Sequence, residues 1–139
     1  MHIENSIVIK GDIDKVFQVM ADVERWPEFL SSHRKMDIIS KEGNRIMIKR
    51  EGMIKWRSII TIKDRLMRSK QLEGPLRGLI AEWRFEETLE GTKMTLVHNF
   101  NYKISLGKLI LEPIVARILK KIGNNTLRCV KKRVEGGLE

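Results

Sequence analysis

Residues 34–103 consist of short segments in which apolar and polar residues alternate, and this alternation restricts the possible folds more than any other feature of the chain. A period of two residues predicts β-strands with one apolar face. Turn residues separate the segments, as in Glu42-Gly43-Asn44 and Glu90-Gly91. Such short gaps favour antiparallel hairpins, because parallel neighbours need crossovers of about a dozen residues or more. The predicted strands are 34–41, 44–51, 54–64, 67–73, 78–88 and 92–103.

The segments on either side of this block predict the remaining elements. Residues 2–10 alternate like a further strand. Asp12 can cap a first short helix, and Pro27 suits the first turn of a second. Residues 107–135 predict one long amphipathic helix, with Pro113 either in its first turn or at a kink. The apolar stripe of this helix is predicted to contain Leu111, Ile114, Val115, Ile118, Leu119, Ile122, Thr126 and Cys129.

Length and composition predict one α+β domain over residues 1–139, with 42% apolar and 32% charged residues. The only cysteine is Cys129, so no internal disulfide is possible. No apolar run is typical of a signal peptide or a membrane span, and we expect a soluble cytoplasmic protein. The three histidines show no metal-ligand spacing, and no glycine-rich phosphate loop occurs. We therefore expect neither a metal nor a cofactor.

The predicted sheet and helix each have one apolar face, and these faces should pack together. A curved antiparallel sheet of about seven strands that wraps around the long C-terminal helix is the simplest arrangement. A bent sheet does not close completely on a cylinder, so side chains or a ligand must fill the remaining space. The architecture therefore allows a cavity between sheet and helix.

Two stretches carry a resemblance to a known family. The pattern Asp22…Trp26-Pro27-Glu28-Phe29 and the stretch GPLRGLIAEWRFEE at 74–87 resemble the START-like helix-grip superfamily (SRPBCC). Within it the chain is similar to the polyketide cyclase/dehydrase and coenzyme Q-binding branch. The resemblance implies a helix-grip fold with an elongated apolar cavity that binds lipids, quinones or polyketides. Some members catalyse cyclisation or aromatisation.

A shorter motif resembles the aromatase/cyclase members in particular. The sequence KWRS at 55–58 is similar to their Trp-x-Ser strand motif, which implies that Trp56 and Ser58 are pocket residues. The basic residue that cyclases often place downstream has only Lys63 or Arg65 as a counterpart, and this departure weakens the case for cyclase activity.

Strand parity and helical spacing predict which side chains face the cavity. In residues 78–88, for example, Leu79, Ala81, Trp83 and Phe85 share one face, and the other face carries Glu82, Arg84 and Glu86. The predicted ligand-binding residues are Trp26, Trp56, Ser58, Ala81, Trp83, Phe85, His98, Phe100, Ile118 and Ile122.

Three polar residues on or near these apolar faces are candidates for catalysis: His98, Arg50 and Tyr102. His98 is either a core residue with its hydrogen bonds satisfied or an imidazole that exchanges a proton with a ligand. Arg50 either extends to water near the turn at Gly52 or anchors a ligand oxygen. Tyr102 near a strand end is either a packing residue or a reactive one.

Three functions follow from these features. The first is binding of a hydrophobic small molecule such as a lipid, a quinone or an aromatic polyketide-like compound. The second is a polyketide cyclase or dehydratase-type enzyme that uses the same cavity. The third is a basic surface that binds ribosomal RNA or an anionic membrane, in keeping with the net charge of +9. This third function predicts one exposed patch of Lys120, Lys121, Lys131, Lys132 and Arg133.

Overall fold

The structure is a computed structural model that describes residues 1–51, 56–74, 76–100 and 105–136, with only the backbone described for 105–111. The strands are β1 (His2–Ile9), β2 (Met36–Glu42), β3 (Arg45–Arg50), β4 (Trp56–Lys63), β5 (Leu66–Gln71), β6 (Ile80–Thr88) and β7 (Gly91–Asn99). The α-helices are α1 (Ile13–Ala21), α2 (Trp26–Phe29) and α3 (Ser105–Gly136), and two short 3₁₀ turns lie at Val23–Arg25 and Ser31–His33.

The seven strands form one antiparallel sheet in the order β1-β7-β6-β5-β4-β3-β2. The first strand pairs with the last, so that Ile3 lies opposite His98. The sheet curves around α3, and the predicted α+β helix-grip architecture is confirmed. The first residues of the predicted strand 54–64 and the last residues of 92–103 lie outside the described residues.

Side-chain hydrogen bonds set the boundaries of the first helices. The Asp12 carboxylate accepts a hydrogen bond from the backbone N–H of Lys15 at 2.8 Å and caps α1 as predicted. Pro27 lies in the first turn of α2, where its missing N–H costs no intrahelical bond. The indole N–H of Trp26 donates to the carbonyl of Met20 at 2.9 Å. This bond ties the corner between the helices to the end of α1.

The buried face of α3 differs from the predicted stripe. Ile118 was predicted to face the cavity, but it is 50% exposed, and Ile114 is 53% exposed. Leu119 and Thr126 of the predicted stripe are buried. Apolar residues occur on two sides of this helix, so their spacing alone does not determine which side meets the sheet. The buried face contains Leu119, Gly123, Thr126, Leu127, Val130 and Val134.

Pro113 and Gly123 are two residues of α3 that are unusual inside a helix. Pro113 lies inside the helix rather than in its first turn. Gly123 faces β1, where a Cβ would collide with the side-chain oxygen of Asn5. The Asn5 amide donates to the carbonyl of Lys120 at 3.0 Å and to the side-chain oxygen of Asn124 at 2.7 Å. The absent side chain at Gly123 therefore lets the helix lie close to β1.

The main core lies between α1, the sheet and the C-terminal half of α3. Its fully buried members include Met20, Trp26, Met94, Val130 and Val134. A smaller cluster of Leu79, Phe100 and Leu119 packs at the other end of the sheet. No helix in the described parts of the chain is long and apolar enough to cross a membrane.

Candidate ligand-binding cavity

A cavity of about 210 Å³ lies between the concave face of the sheet and α3. Five neighbouring strands supply one wall and α3 supplies the other. The residues that line the cavity are Leu30, Ser32, His33, Arg50, Glu51, Trp56, Ser58, Ser69, Gln71, Leu76, Leu79, Ala81, Trp83, Leu96, His98, Leu119, Ile122 and Thr126.

Strand register brings polar side chains from distant parts of the sequence together on this wall. Ser58 on β4 lies opposite Gln71 on β5. Ser69 lies opposite Ala81 on β6, which in turn lies opposite His98 on β7. Because residues opposite each other in a ladder point to the same face, these five side chains share the concave surface. The result is a band of polar groups across an otherwise apolar wall.

Four cavity-lining residues carry a buried side-chain nitrogen that has no hydrogen-bond partner among the described residues. The nitrogens are Arg50 Nε, Gln71 Nε2, Trp83 Nε1 and His98 Nδ1. A buried polar group without a partner costs about 1–3 kcal/mol, so such groups are rare in folded proteins. Their concentration at one cavity distinguishes this region from the rest of the described interior.

His98 is buried in the cavity wall, with 6% of its surface exposed. Burial lowers the pKa of its imidazole from 6.5 to about 4. The ring is therefore neutral at pH 7, with one nitrogen that carries a proton and one that can accept one. This charge state allows a hydrogen bond with either a donor or an acceptor on a ligand.

Arg50 and His33 form the polar part of the cavity near α2. The guanidinium carbon of Arg50 lies 5.4 Å from the centre of the Trp56 ring, within the range of a cation–π contact. Burial lowers the pKa of Arg50. Burial and then the Arg50 charge lower the pKa of His33 to about 3. Nδ1 of His33 lies 2.7 Å from the Ser32 hydroxyl. This part of the wall therefore combines one cation with a neutral imidazole.

The structure places seven of the residues predicted from the sequence on the cavity wall. They are Arg50, Trp56, Ser58, Ala81, Trp83, His98 and Ile122. Tyr102 lies outside the described residues.

Four predicted ligand-binding residues lie elsewhere, and the prediction that they face the cavity needs correction. Trp26 is buried behind the wall, where its ring packs against Trp83 at 5.9 Å between centres. Phe85 lies further along β6 and packs edge-on against Phe17 at 5.4 Å. Phe100 belongs to the smaller apolar cluster, and Ile118 lies on the outside of α3. Each has the expected apolar character, but none of the four lines the cavity.

The sequence analysis missed several polar members of the wall. Met67, Ser69 and Gln71 occupy every second position of β5, so their parity already indicated that they share one face of the sheet. Thr126 belonged to the predicted stripe of α3 but was not considered as a site residue. The downstream basic candidates lie outside the cavity: Lys63 is exposed, and Arg65 pairs with Asp14. The described residues contain no group of three metal-ligating side chains.

A curved antiparallel sheet around a long C-terminal helix, with a cavity between them, defines a START-like helix-grip protein. The chain belongs to the family of polyketide cyclases/dehydrases and lipid transport proteins, whose model matches residues 9–126. The coenzyme Q-binding part of the expectation stays a prediction.

Individual proteins that are similar to this chain are consistent with its membership of this family. A Streptomyces cyaneus protein named as a polyketide cyclase is 31% identical, over 73% of this chain and 74% of its own. The structure of the ZhuI aromatase/cyclase from Streptomyces sp. R1128 has a TM-score of 0.85 at 19% identity, covering all of this chain and 96% of ZhuI. A START superfamily protein from Mycobacterium smegmatis has a TM-score of 0.78 at 10% identity, with 97% of each chain covered. At these identities the two structures show the fold alone.

Proposed function

We propose that the protein binds a compact hydrophobic molecule with oxygen acceptors, of the aromatic polyketide-like class, in the cavity between the sheet and α3. The observation that carries this proposal is the set of buried nitrogens without a partner among the described residues. The Arg50, Gln71 and Trp83 nitrogens are donors, and the neutral His98 ring can donate or accept. A ligand oxygen that accepts from one of them offsets a desolvation cost already present in the empty protein.

The size of the cavity supports a compact ligand. An apolar cavity of about 150 Å³ holds benzene, whereas drug-sized ligands occupy about 300 Å³ or more. At about 210 Å³ the cavity falls between these sizes. Leu30, Leu79, Leu96 and Leu119 supply the apolar surface that a ring system would contact. Among lipids, quinones and polyketide-like compounds, a small fused-ring molecule fits this space better than a long chain does.

The test compares two ligands of the same shape, α-tetralone and tetralin, which differ in one carbonyl oxygen. We expect calorimetry to show about tenfold tighter binding of α-tetralone, because one recovered hydrogen bond contributes about 1–1.5 kcal/mol. Equal affinities would show that the buried donors do not take part. Native mass spectrometry of protein purified from its own host complements this test, since a retained aromatic compound would identify the ligand.

A second candidate function is cyclase-type catalysis in the same cavity, and the shared location of His98 and Arg50 favours it. The neutral imidazole can take a proton from a CH₂ group between two carbonyls while the Arg50 charge stabilises the enolate oxygen. The enolate carbon then bonds to the carbon of a further carbonyl along the chain, whose oxygen receives the proton from the imidazolium. This carbon–carbon bond closes the ring, and the new hydroxyl then leaves as water together with the remaining proton of the former CH₂ carbon.

The test of catalysis is the conversion of a synthetic β-polyketone to a ring product, followed by its absorbance. We expect His98→Gln to lose turnover while α-tetralone binding changes by less than about tenfold, because other donors remain. Turnover that is the same in the variant and the parent protein would contradict a catalytic role for His98.

A further inference from the structure

Helix α3 presents a second organised face, which points away from the sheet. Ile114, Ile118 and Ile122 are 53%, 50% and 40% exposed and recur every four residues, so they form one row on the helix. Arg117 and Lys121 are exposed beside this row, and Arg128 continues their side of the helix. The three cations border one shallow surface depression. These six residues are termed the outer face of α3.

The cations of the outer face are not engaged with acidic residues. Arg117, Lys121 and Arg128 form no ion pair with any residue that the structure describes. The sequence predicted a different patch, and three of its members are held in other contacts. Lys120 donates to the Glu4 carbonyl, Lys131 donates to Val8 and pairs with Glu135, and Arg133 pairs with Glu28. Lys121 of that patch belongs to the outer face, and Lys132 is exposed and likewise forms no ion pair with a described residue, so the uncommitted positive charge extends along α3 from Arg117 to Lys132.

We propose that the outer face of α3 docks on an anionic lipid bilayer. Lys and Arg side chains are attracted to anionic headgroups, while aliphatic side chains on the same face enter the boundary between headgroups and acyl chains. The net charge of +9 adds a long-range attraction to the same surface. A helix that carries both kinds of residue in adjacent rows matches this interface.

The composition of α3 favours a bilayer over a nucleic acid. Proteins that bind single-stranded nucleic acid commonly stack aromatic side chains on the bases. The helix Ser105–Gly136 contains no aromatic residue. Exposed isoleucines make no favourable contact with a phosphate backbone, but they do with lipid chains. The exposed surface of the three isoleucines therefore fits a lipid interface better than a nucleic acid.

Ile122 belongs to both the outer face and the cavity wall. Docking through this face would bring that wall next to the bilayer. A hydrophobic ligand could then exchange between membrane and cavity without crossing bulk water. This consequence, unlike the docking itself, rests on the proposed ligand-binding function.

The test is co-sedimentation of the ligand-free protein with vesicles. We expect binding to vesicles of phosphatidylcholine mixed with phosphatidylglycerol, weak binding to phosphatidylcholine alone, and a decrease with salt because screening weakens the attraction. Lys121→Glu with Arg128→Glu should lower the affinity about tenfold or more. Glutamate is a good helix former, so circular dichroism should show an unchanged helix content.

A matched control carries the same change in charge elsewhere. Lys63 and Lys70 are exposed on the strands, and their double replacement by Glu should leave most of the affinity. Ile118→Ala should weaken binding several-fold while the salt dependence stays the same, since it removes apolar contact and no charge.

Three outcomes would overturn the proposal. One is an equal loss of vesicle binding in the control pair, which would mean that net charge alone is responsible. Another is an unchanged affinity in Ile118→Ala. The last is binding to single-stranded RNA but not to anionic vesicles, which would assign the surface to nucleic acid. Because the protein is ligand-free in every assay, failure of α-tetralone binding would not affect these results.

Discussion

Trp26 on α2 and Trp83 on β6 pack against each other, but they lie in halves of the interior that are built differently. Their ring centres are 5.9 Å apart. The indole N–H of Trp26 donates to the carbonyl of Met20, and the buried ring packs among apolar side chains and edge-on against the His33 ring. The indole N–H of Trp83 has no partner among the described residues, and the residue lines the cavity. The half around Trp26 is therefore tightly packed with its indole N–H bonded, whereas the half around Trp83 contains a cavity and polar groups without a partner among the described residues.

Strand β6, which carries Trp83, also has a buried polar residue on its outer face, and that residue does have hydrogen-bond partners. Glu82, between Ala81 and Trp83 on β6, is also buried, but it accepts hydrogen bonds from Arg68 at 2.9 Å and Arg84 at 2.8 Å. These bonds, that from Arg68 foremost, lower the pKa of the Glu82 carboxyl. On one face of β6 a buried polar residue is thus satisfied, whereas on the other the Trp83 N–H has no partner in the part of the chain that the structure describes. Polar groups kept unpaired at a stability cost are typical of functional sites.

The largest effect on stability is expected for Trp26→Phe, in the packed half of the interior. The substitution removes part of a fully buried ring and leaves the Met20 carbonyl without its donor. We expect the free energy of unfolding in urea to fall by about 2–4 kcal/mol. A loss below about 1 kcal/mol would show that this half is not tightly packed.

The second-largest effect is a loss of stability at acid pH, which is expected because the His98 imidazole is buried in its neutral form. Its pKa falls from 6.5 to about 4 on folding, so between these values the unfolded chain binds a proton that the folded protein does not. The stability present above pH 6.5 is therefore lost as the pH falls toward 4. Between pH 7 and pH 5, the parent protein should lose about 2 kcal/mol more than His98→Gln in urea unfolding. His33 remains in both proteins, so its contribution cancels. Parallel pH profiles would contradict the burial of a neutral His98.

A smaller effect of opposite sign is expected for Gln71→Met. The change removes an unpaired donor and keeps a side chain of similar length, so the ligand-free protein should gain about 1 kcal/mol. The preference for α-tetralone over tetralin should decrease, because one candidate donor is gone. Gln18→Met on the exposed side of α1 is the control and should change stability by less than about 0.5 kcal/mol. A destabilised Gln71→Met would indicate that this amide is satisfied in the folded protein.

Sequence pattern was sufficient for the elements and for much of the cavity wall, but not for the difference between the two halves. Period-two alternation predicted the strands, and parity placed Ser58, Trp83 and His98 on the concave face because successive side chains in a strand alternate. Gln71 meets Ser58 only through the register of β4 and β5. Ile118 was misassigned because the rotation of a helix with two apolar sides depends on tertiary contacts. Whether His98 has a partner is likewise a property of the assembled interior.

The smallest effect on stability is expected for Trp83→Phe, the counterpart of the first substitution. The smaller ring loses apolar contact with Trp26, which destabilises the protein, but it also removes the unpaired N–H, which stabilises it. These contributions oppose each other, so the free energy of unfolding should change by less than about 1 kcal/mol, while α-tetralone binds more weakly. The same substitution at Trp26 has no compensating gain, because its N–H is bonded to Met20. If both variants lost the same stability, the Trp83 N–H would have to be satisfied in the folded protein, and the contrast between a packed and a hollow half would not hold.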